Sequence, residues 1–371
     1  METVMEERTR SCQYEMRQQD VDALILTTST NLLYLTEFTD EPSERCLLCF
    51  VPSEGDPVFL APEMYQHHIG NSSWINSIVT WDDKTGPDPA IEQILALSQF
   101  SEINHVLIDD TMHVRHLLIL QKFLDDVELT PASTVLDTIR ITKDATELDA
   151  LGRAANLTDA VSSKVRSMGK RVIGMTERDL GHEIEDFLIK RGASHVAFDT
   201  IVGSGPNGAH PHHRTSDRVI NPSEPVVLDF GGVVDGYPGD QTRTIIFAGD
   251  PPQKFEEAHR CVVDALSSGV EAVEPGIEAQ EIDRVVRDVV ADYGFEKYFT
   301  HRTGHGVGLD VHEPPYIVSG NDRQLEQGMV FSIEPGVYFE GEFGVRVEDL
   351  VMVTDSGCQR LNNSPRTWEP L

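Results

Sequence analysis

Lysine is scarce in this 371-residue sequence, and arginine supplies most of the positive charge. Only 30 basic residues face 62 acidic ones, giving a formal charge of −32. No basic patch with interleaved aromatics occurs, and a field of this sign repels nucleic acid and anionic membrane. No apolar run approaches the roughly 20 residues that span a bilayer. The opening METVMEERTRSC has no apolar h-region and no small-residue cleavage site, so a cytoplasmic protein is expected. Cysteines are few: Cys12, Cys46, Cys49, Cys261 and Cys358. Their odd number and irregular spacing argue against a disulfide framework. Cys46 and Cys49 have CxxC spacing, but no second pair follows, and CLLCFV reads as a strand with buried structural thiols.

What is present is a globular composition, 39% hydrophobic and 25% charged, long enough for two domains. Acid is spread along the whole chain rather than gathered in a tail. That distribution predicts adaptation to high salt, where screening suppresses self-repulsion.

Residues 1–130 alternate short apolar runs with helical stretches. DALILTT (22–28), CLLCFV (46–51), PVFLA (57–61) and HVLID (105–109) read as strands. Residues 90–100 and 113–124 read as helices by their i, i+3, i+4 apolar spacing. The alternation predicts an α/β layer with a partly parallel sheet. His67, His68, His113 and His116 read as surface or helix-face residues, and TPAST (130–134) reads as a linker. From 143 the pattern changes to α+β. A long helix is expected from Asp144 to about Met168, and a second between the N-cap Thr176 and the stop Gly192. A strand is expected over 195–205, and consecutive strands with glycine turns over 225–249. Two amphipathic helices then precede strands in MVFSIEPGVYF and FGVRVEDLVMVT, which suggests an internal pseudo-repeat.

Five residues stand in distinctive settings: Asp229 in LDFGG, Asp240 in GYPGDQTRT, His305 in TGHGVGLDVHE, Glu334 in SIEPGVY and Glu348 in GVRVEDL. An isolated Asp at a strand end commonly forms a turn. Here the glycine-rich return between Asp229 and Asp240 lets two strand segments bring both acids to one spot. The glycines beside His305 remove side chains and leave access. Glu334 follows an apolar strand, and a buried acid there must be paired or coordinating. Arg346 and Glu348 share one strand face, so the arginine is placed either as a surface partner or to orient a metal-bound carboxylate. Four carboxylates balance two dications, and without them would repel one another. One imidazole among hard oxygen donors favours Mn2+, with Co2+, Fe2+ or Zn2+ as alternatives.

At these residues the sequence resembles the pita-bread metallopeptidases, in the prolidase and Xaa-Pro aminopeptidase branch. The resemblance implies a pita-bread catalytic domain over 143–371, preceded by a creatinase-type N-terminal domain over 1–134. It implies that Asp229 chelates one metal, that Asp240 and Glu348 bridge both, and that His305 and Glu334 complete the second. His212, in GAHPHHRTSDR, resembles the histidine that contacts substrate near the scissile carbonyl, although His210 and His213 stand beside it. His312, in GLDVHEPP, resembles the one that steadies the tetrahedral intermediate. Arg346 joins these two as an expected substrate-binding residue.

The implied reaction is hydrolysis of the bond before proline, in Xaa-Pro dipeptides or at the N-terminus of Xaa-Pro peptides. A water shared by the metals becomes the nucleophile, with Glu334 as general acid and base. The resemblance also implies a homodimer. Two alternatives stand beside it: another C–N hydrolase on the same scaffold, such as an ectoine-hydrolase-like enzyme, and a non-catalytic peptide-binding module. Intact ligands oppose the second, and they oppose a creatinase-like reaction as well. The large N-terminal domain opposes a methionine aminopeptidase.

Overall fold

The computed structural model describes residues 3–369. It divides into two compact units, residues 1–140 and 141–371.

The first unit is built on six strands: β1 (Ala23–Leu26), β2 (Leu48–Pro52), β3 (Val58–Pro62), β4 (Ile78–Trp81), β5 (His105–Ile108) and β6 (Glu128–Pro131). They form one mixed sheet in the order β4-β3-β2-β1-β5-β6. Pairs β3–β4, β1–β5 and β5–β6 run parallel, and β1–β2 and β2–β3 antiparallel. Helices α1 (Val4–Gln18), α2 (Thr30–Thr36), α3 (Gln66–Ser72), α4 (Asp88–Leu95), α5 (Val114–Leu120) and α6 (Ser133–Arg140) complete it. The expected strands and the parallel pairing are present. The edge strands β4 and β6 are additional, and neither has a buried apolar run: β4 is half-buried throughout and β6 is exposed at both ends. TPAST is no linker, because Thr130 and Pro131 belong to β6 and Ser133 opens α6. His116 lies on a helix face, that of α5, and is buried there. Cys46 and Cys49 are free and buried as expected, and burial pushes the Cys46 thiol up to about 12.

The second unit begins with α7 (Ala145–Arg166) and α8 (Glu177–Lys190). Capping boxes at Asp144/Glu147 and Thr176/Asp179 start both helices. They pack on the antiparallel sheet β11-β8-β7, made by β7 (Ile201–Ser204), β8 (Val226–Phe230) and β11 (Gln241–Ile245), around a core that includes Val161, Leu180, Leu188, Leu228 and Phe230. A small hairpin, β9 (Val233–Val234) and β10 (Tyr237–Pro238), interrupts the return from β8 to β11. A second helix pair follows, α9 (Phe255–Ala272) and α10 (Ala279–Asp292). It covers a second core that includes Val262, Leu266, Val286, Phe331 and Val351. The strands there are β12 (Gly304–Gly306), β13 (Glu313–Ile317), β14 (Val330–Ile333), β17 (Asp349–Val353) and β18 (Cys358–Arg360), in the order β13-β12-β14-β17-β18. The hairpin of β15 (Gly336–Phe339) and β16 (Phe343–Arg346) lies between β14 and β17 in sequence. No helix of the described residues is long and apolar enough to cross a membrane.

The stretch 195–205, expected as one strand, pairs as β7 only over Ile201–Ser204. Upstream, Val196 bridges Gly232 and the Ala197 N–H donates to the Gly231 carbonyl. The backbone leaves the ladder between them, which puts Phe198 and Asp199 on the wall of a cavity.

Candidate active site

All eight residues singled out in the sequence line one cavity of about 370 Å³ in the second unit. Asp229 lies on β8, with Thr242 of β11 opposite it in register, and Asp240 stands just before β11. His305 is the centre of β12, Glu334 follows β14, and Glu348 sits between β16 and β17. The return between the two aspartates is tight. A Cβ on Gly231 would lie 1.7 Å from the Gly239 carbonyl oxygen, so only glycine closes it.

The TRT run after Asp240 acts through strand alternation. Thr242 Oγ1 donates to Glu348 Oε2 at 2.6 Å and accepts from Arg346 Nε at 3.0 Å. Thr244 Oγ1 donates to the Arg346 carbonyl, and the Glu348 N–H donates to the Thr242 carbonyl. Arg243 points to the opposite side, where it bonds Asp349 at 2.7 Å and the carbonyls of Glu348, Ser364 and Pro365. The three side chains therefore tie β11 to the segment that carries Arg346 and Glu348.

The glycines around His305 have a different purpose from the expected one. A Cβ on Gly304 would meet the Ser332 carbonyl oxygen at 1.8 Å, and one on Gly306 the Pro314 carbonyl oxygen at 2.2 Å. They let β12 fit between β13 and β14 rather than opening access. His305 Nδ1 faces the Gly306 carbonyl at 3.1 Å, which leaves Nε2 toward Glu334 Oε1 at 3.4 Å and Asp240 Oδ2 at 3.7 Å. Donor atoms of Asp240, His305 and Glu348 lie within 4.8 Å of one another.

The electrostatics are those of crowded, buried acids. Burial, followed by the charges of Glu348, Asp229 and Glu334, raises Asp240 far above the usual carboxylate range. Burial and the Glu334 charge do the same to Glu348, and burial pushes Glu334 up to about 7. Burial and the neighbouring His312 push His305 down to about 3, so its imidazole is neutral and able to ligate. Asp229 Oδ1 and Glu348 Oε1 are buried without a hydrogen-bond partner. Oxygen donors left open in this way, beside a neutral imidazole, fit divalent cations.

Three histidines compete in the 210–213 segment, and Glu177 separates them. Its buried carboxylate, at the start of α8, accepts from Ser204, Asn207, Ser216 and His213 Nε2, the last at 2.8 Å. Burial alone would raise Glu177, but these donors hold it below its usual value. His213 is thus an anchor, while His212 lines the cavity beside Pro211. His312 lines the cavity too, its ring centroid 4.2 Å from that of His305.

Sequence reasoning missed His301, Arg302 and Tyr338. His301 and Arg302 line the cavity. His301 Nε2 is 2.9 Å from the Tyr338 hydroxyl, which accepts from Arg346 Nη1 at 3.0 Å. Burial and the Arg346 charge push His301 down to about 4. The HRTGH run places His301 four residues before His305, and that spacing was the available signal.

Fold and site together are those of a metallopeptidase. The chain belongs to metallopeptidase family M24, which residues 149–355 match, and residues 8–142 match the Creatinase/Prolidase N-terminal domain. It is 38% identical over 346 residues to the probable dipeptidase PepE of Mycobacterium tuberculosis, covering 92% of this chain and 90% of that one. Among solved structures it resembles the prolidase from Thermococcus sibiricus, with a TM-score of 0.94, 36% identity and full coverage of both chains. It also resembles dipeptidase PepE from Mycobacterium ulcerans, with a TM-score of 0.90 and 36% identity over 99% and 97% of the two chains.

Proposed function

We propose that the protein is a dinuclear metallopeptidase that hydrolyses the bond before proline in Xaa-Pro dipeptides. The observation that carries this is the convergence of Asp229, Asp240, His305, Glu334 and Glu348 on one cavity, with two buried carboxylate oxygens lacking partners. The dipeptidases and the prolidase among its relatives support the substrate class.

Those five residues would hold two divalent ions, and their hard oxygen donors favour Mn2+. When bound, such ions bring water to near-neutral pKa and polarise a carbonyl. Glu334 takes the proton of the attacking water and returns it to the leaving nitrogen of proline. His312 donates to the carbonyl oxygen as it gains charge, and His212 orients the peptide from the opposite segment. Arg346 holds Asp229 in place. Phe198, Ile201 and Pro211 supply apolar wall of the same cavity for the ring of proline, and His301 lines it as well. The family resemblance also implies a homodimer, which sedimentation would test.

The direct experiment is hydrolysis of Ala-Pro, Ala-Pro-Ala, Ala-Ala and ectoine by enzyme stripped of metal and reloaded with Mn2+. Ala-Pro is expected to be cleaved only by the reloaded enzyme. Turnover of ectoine alone, or none of Ala-Pro, would overturn the proposal.

A further inference from the structure

We infer that the buried Lys143–Glu313 ion pair positions His312, by holding the loop that presents this histidine to the substrate carbonyl. The inference rests on the peptidase reading above and adds two positioning residues to it.

His312 has little of its own to hold it. It lines the cavity as an exposed residue. Its side chain has no hydrogen-bond partner among the described residues. Its ring meets that of His305 edge to face, with centroids 4.2 Å apart. Its placement therefore depends on the backbone of residues 307–312, which join β12 to β13.

That loop is folded around one carboxylate. Glu313, the first residue of β13, is buried and faces Gly306 of β12 in register. A Cβ on Gly308 would lie 2.2 Å from Glu313 Oε1, so the loop passes directly against the acid. Glu313 Oε2 accepts from the Asp310 N–H at 3.4 Å, and the Gly308 N–H donates to the Asp310 carbonyl at 3.0 Å. Glu313 Oε1 accepts from Lys143 Nζ at 2.7 Å. The Lys143 side chain is itself fully buried, and its Nζ also donates to the Ile141 carbonyl at 3.1 Å. The Lys143 N–H donates to the Gly328 carbonyl at 3.0 Å, and Thr142 bridges Met329. The pair thus ties the His312 loop to a stretch of backbone that is already fixed just before β14.

Stability alone does not call for an ion pair here. Two charges taken out of water regain their solvation only through good geometry, and apolar residues of similar volume are often as stable. What the pair adds is a single defined arrangement, since a satisfied buried polar contact is directional and an apolar one can slide. His312 matters most when the carbonyl oxygen gains charge. A displacement of about 1 Å at such a contact lowers the rate by up to roughly 100-fold. The loss falls on kcat rather than KM, because the contact is made chiefly in the transition state.

The test uses Lys143→Met and the double variant Lys143→Met/Glu313→Gln, each with His312 and with His312→Ala, reloaded with Mn2+. Methionine fills the space of the lysine stem, and glutamine keeps an acceptor for the Asp310 N–H. The double variant leaves no unpaired buried charge, so it carries the measurement if Lys143→Met alone does not fold. With His312 present, kcat for Ala-Pro is expected to fall roughly 10- to 100-fold with KM nearly unchanged. In the His312→Ala background the same substitutions should lower kcat by less than about 2-fold, since no imidazole remains to be placed. Metal-free protein with isotope-labelled histidines gives a readout without turnover. The His312 ring signals, identified by their loss in His312→Ala, should shift or broaden in the double variant, while those of His213 stay. Equal losses of kcat in both backgrounds would mark general damage and overturn the inference, as would an unchanged kcat or unchanged His312 signals. The spectrum needs no substrate, so this inference can fail while Ala-Pro turnover stands, and the reverse.

Discussion

Arg346 Nη2 donates to Asp229 Oδ2 at 2.6 Å, while Asp229 Oδ1 is buried with no partner. One oxygen is thus fixed and the other left open, as the proposed metal ligand requires. The same guanidinium also reaches Thr242, Tyr338 and Pro211, a set that only a planar fork can satisfy. Arg346→Lys keeps the charge but not these bonds. It is expected to weaken metal affinity roughly 10- to 100-fold, read by titration of the metal-free protein.

Glu334→Gln should remove the proton carrier while leaving shape and one coordinating oxygen. Turnover of Ala-Pro is expected to fall by roughly 10²- to 10⁴-fold with an unchanged fold by circular dichroism. Full activity in a variant with bound metal would reject the acid–base role.

The His210–His213 segment allows a sharper separation. His213 is bonded to buried Glu177, and His212 lines the cavity. His213→Ala leaves a buried carboxylate short of a donor and is expected to lose about 1–3 kcal/mol of stability in urea unfolding. His212→Ala should keep that stability and lose activity. The reverse pattern would assign the substrate contact to His213.

Much of the cavity lining was legible before the structure, because each proposed ligand sits in a stretch whose glycine or strand pattern is itself unusual. Asp229 and Asp240 are joined by a glycine return, and Glu348 follows Arg346 on one strand face. What could not be read was long-range. Nothing near Glu177 in sequence tells that it will anchor His213, 36 residues away. The departure of Phe198 and Asp199 from the ladder depends on Gly231 and Gly232 taking the backbone partners. The edge strands β4 and β6 escaped for another reason: half-exposed strands need no continuous apolar run. The glycines of GHG were noticed, but packing between neighbouring strands, not access, explains them.

The buried acids predict that Glu334→Gln shifts stability in opposite directions with and without metal. In metal-free protein Glu334 is raised from 4.5 to about 7, chiefly by burial. The folded state therefore binds this proton more tightly than the unfolded state. Its contribution is fully present below pH 4.5 and is lost as pH rises through about 7. Glu334→Gln has no such group, so the metal-free variant should gain Tm relative to wild type over that window. With Mn2+ at neutral pH the order should reverse, since the variant has lost a charged ligand. A constant Tm difference across the window would refute the argument.

The final prediction concerns salt. Some exposed bases are held by acids: Arg284 by Glu281 and Asp288, Arg178 by Asp217, Lys190 by Asp186. Salt weakens such pairs, but each exposed pair contributes only about 0–1 kcal/mol. With 62 acids and 30 bases, a net charge of −32 remains after every base is paired. That excess repels itself over a screening length of about 10 Å at 0.1 M salt, which shrinks to about 3 Å at 1 M. Relief of the excess should therefore outweigh loss of the pairs. We expect the urea midpoint to rise steadily from low to molar KCl, and more than it does for a near-neutral protein. A midpoint indifferent to KCl would remove the case for salt adaptation and leave the acidity as an ordinary solvated surface.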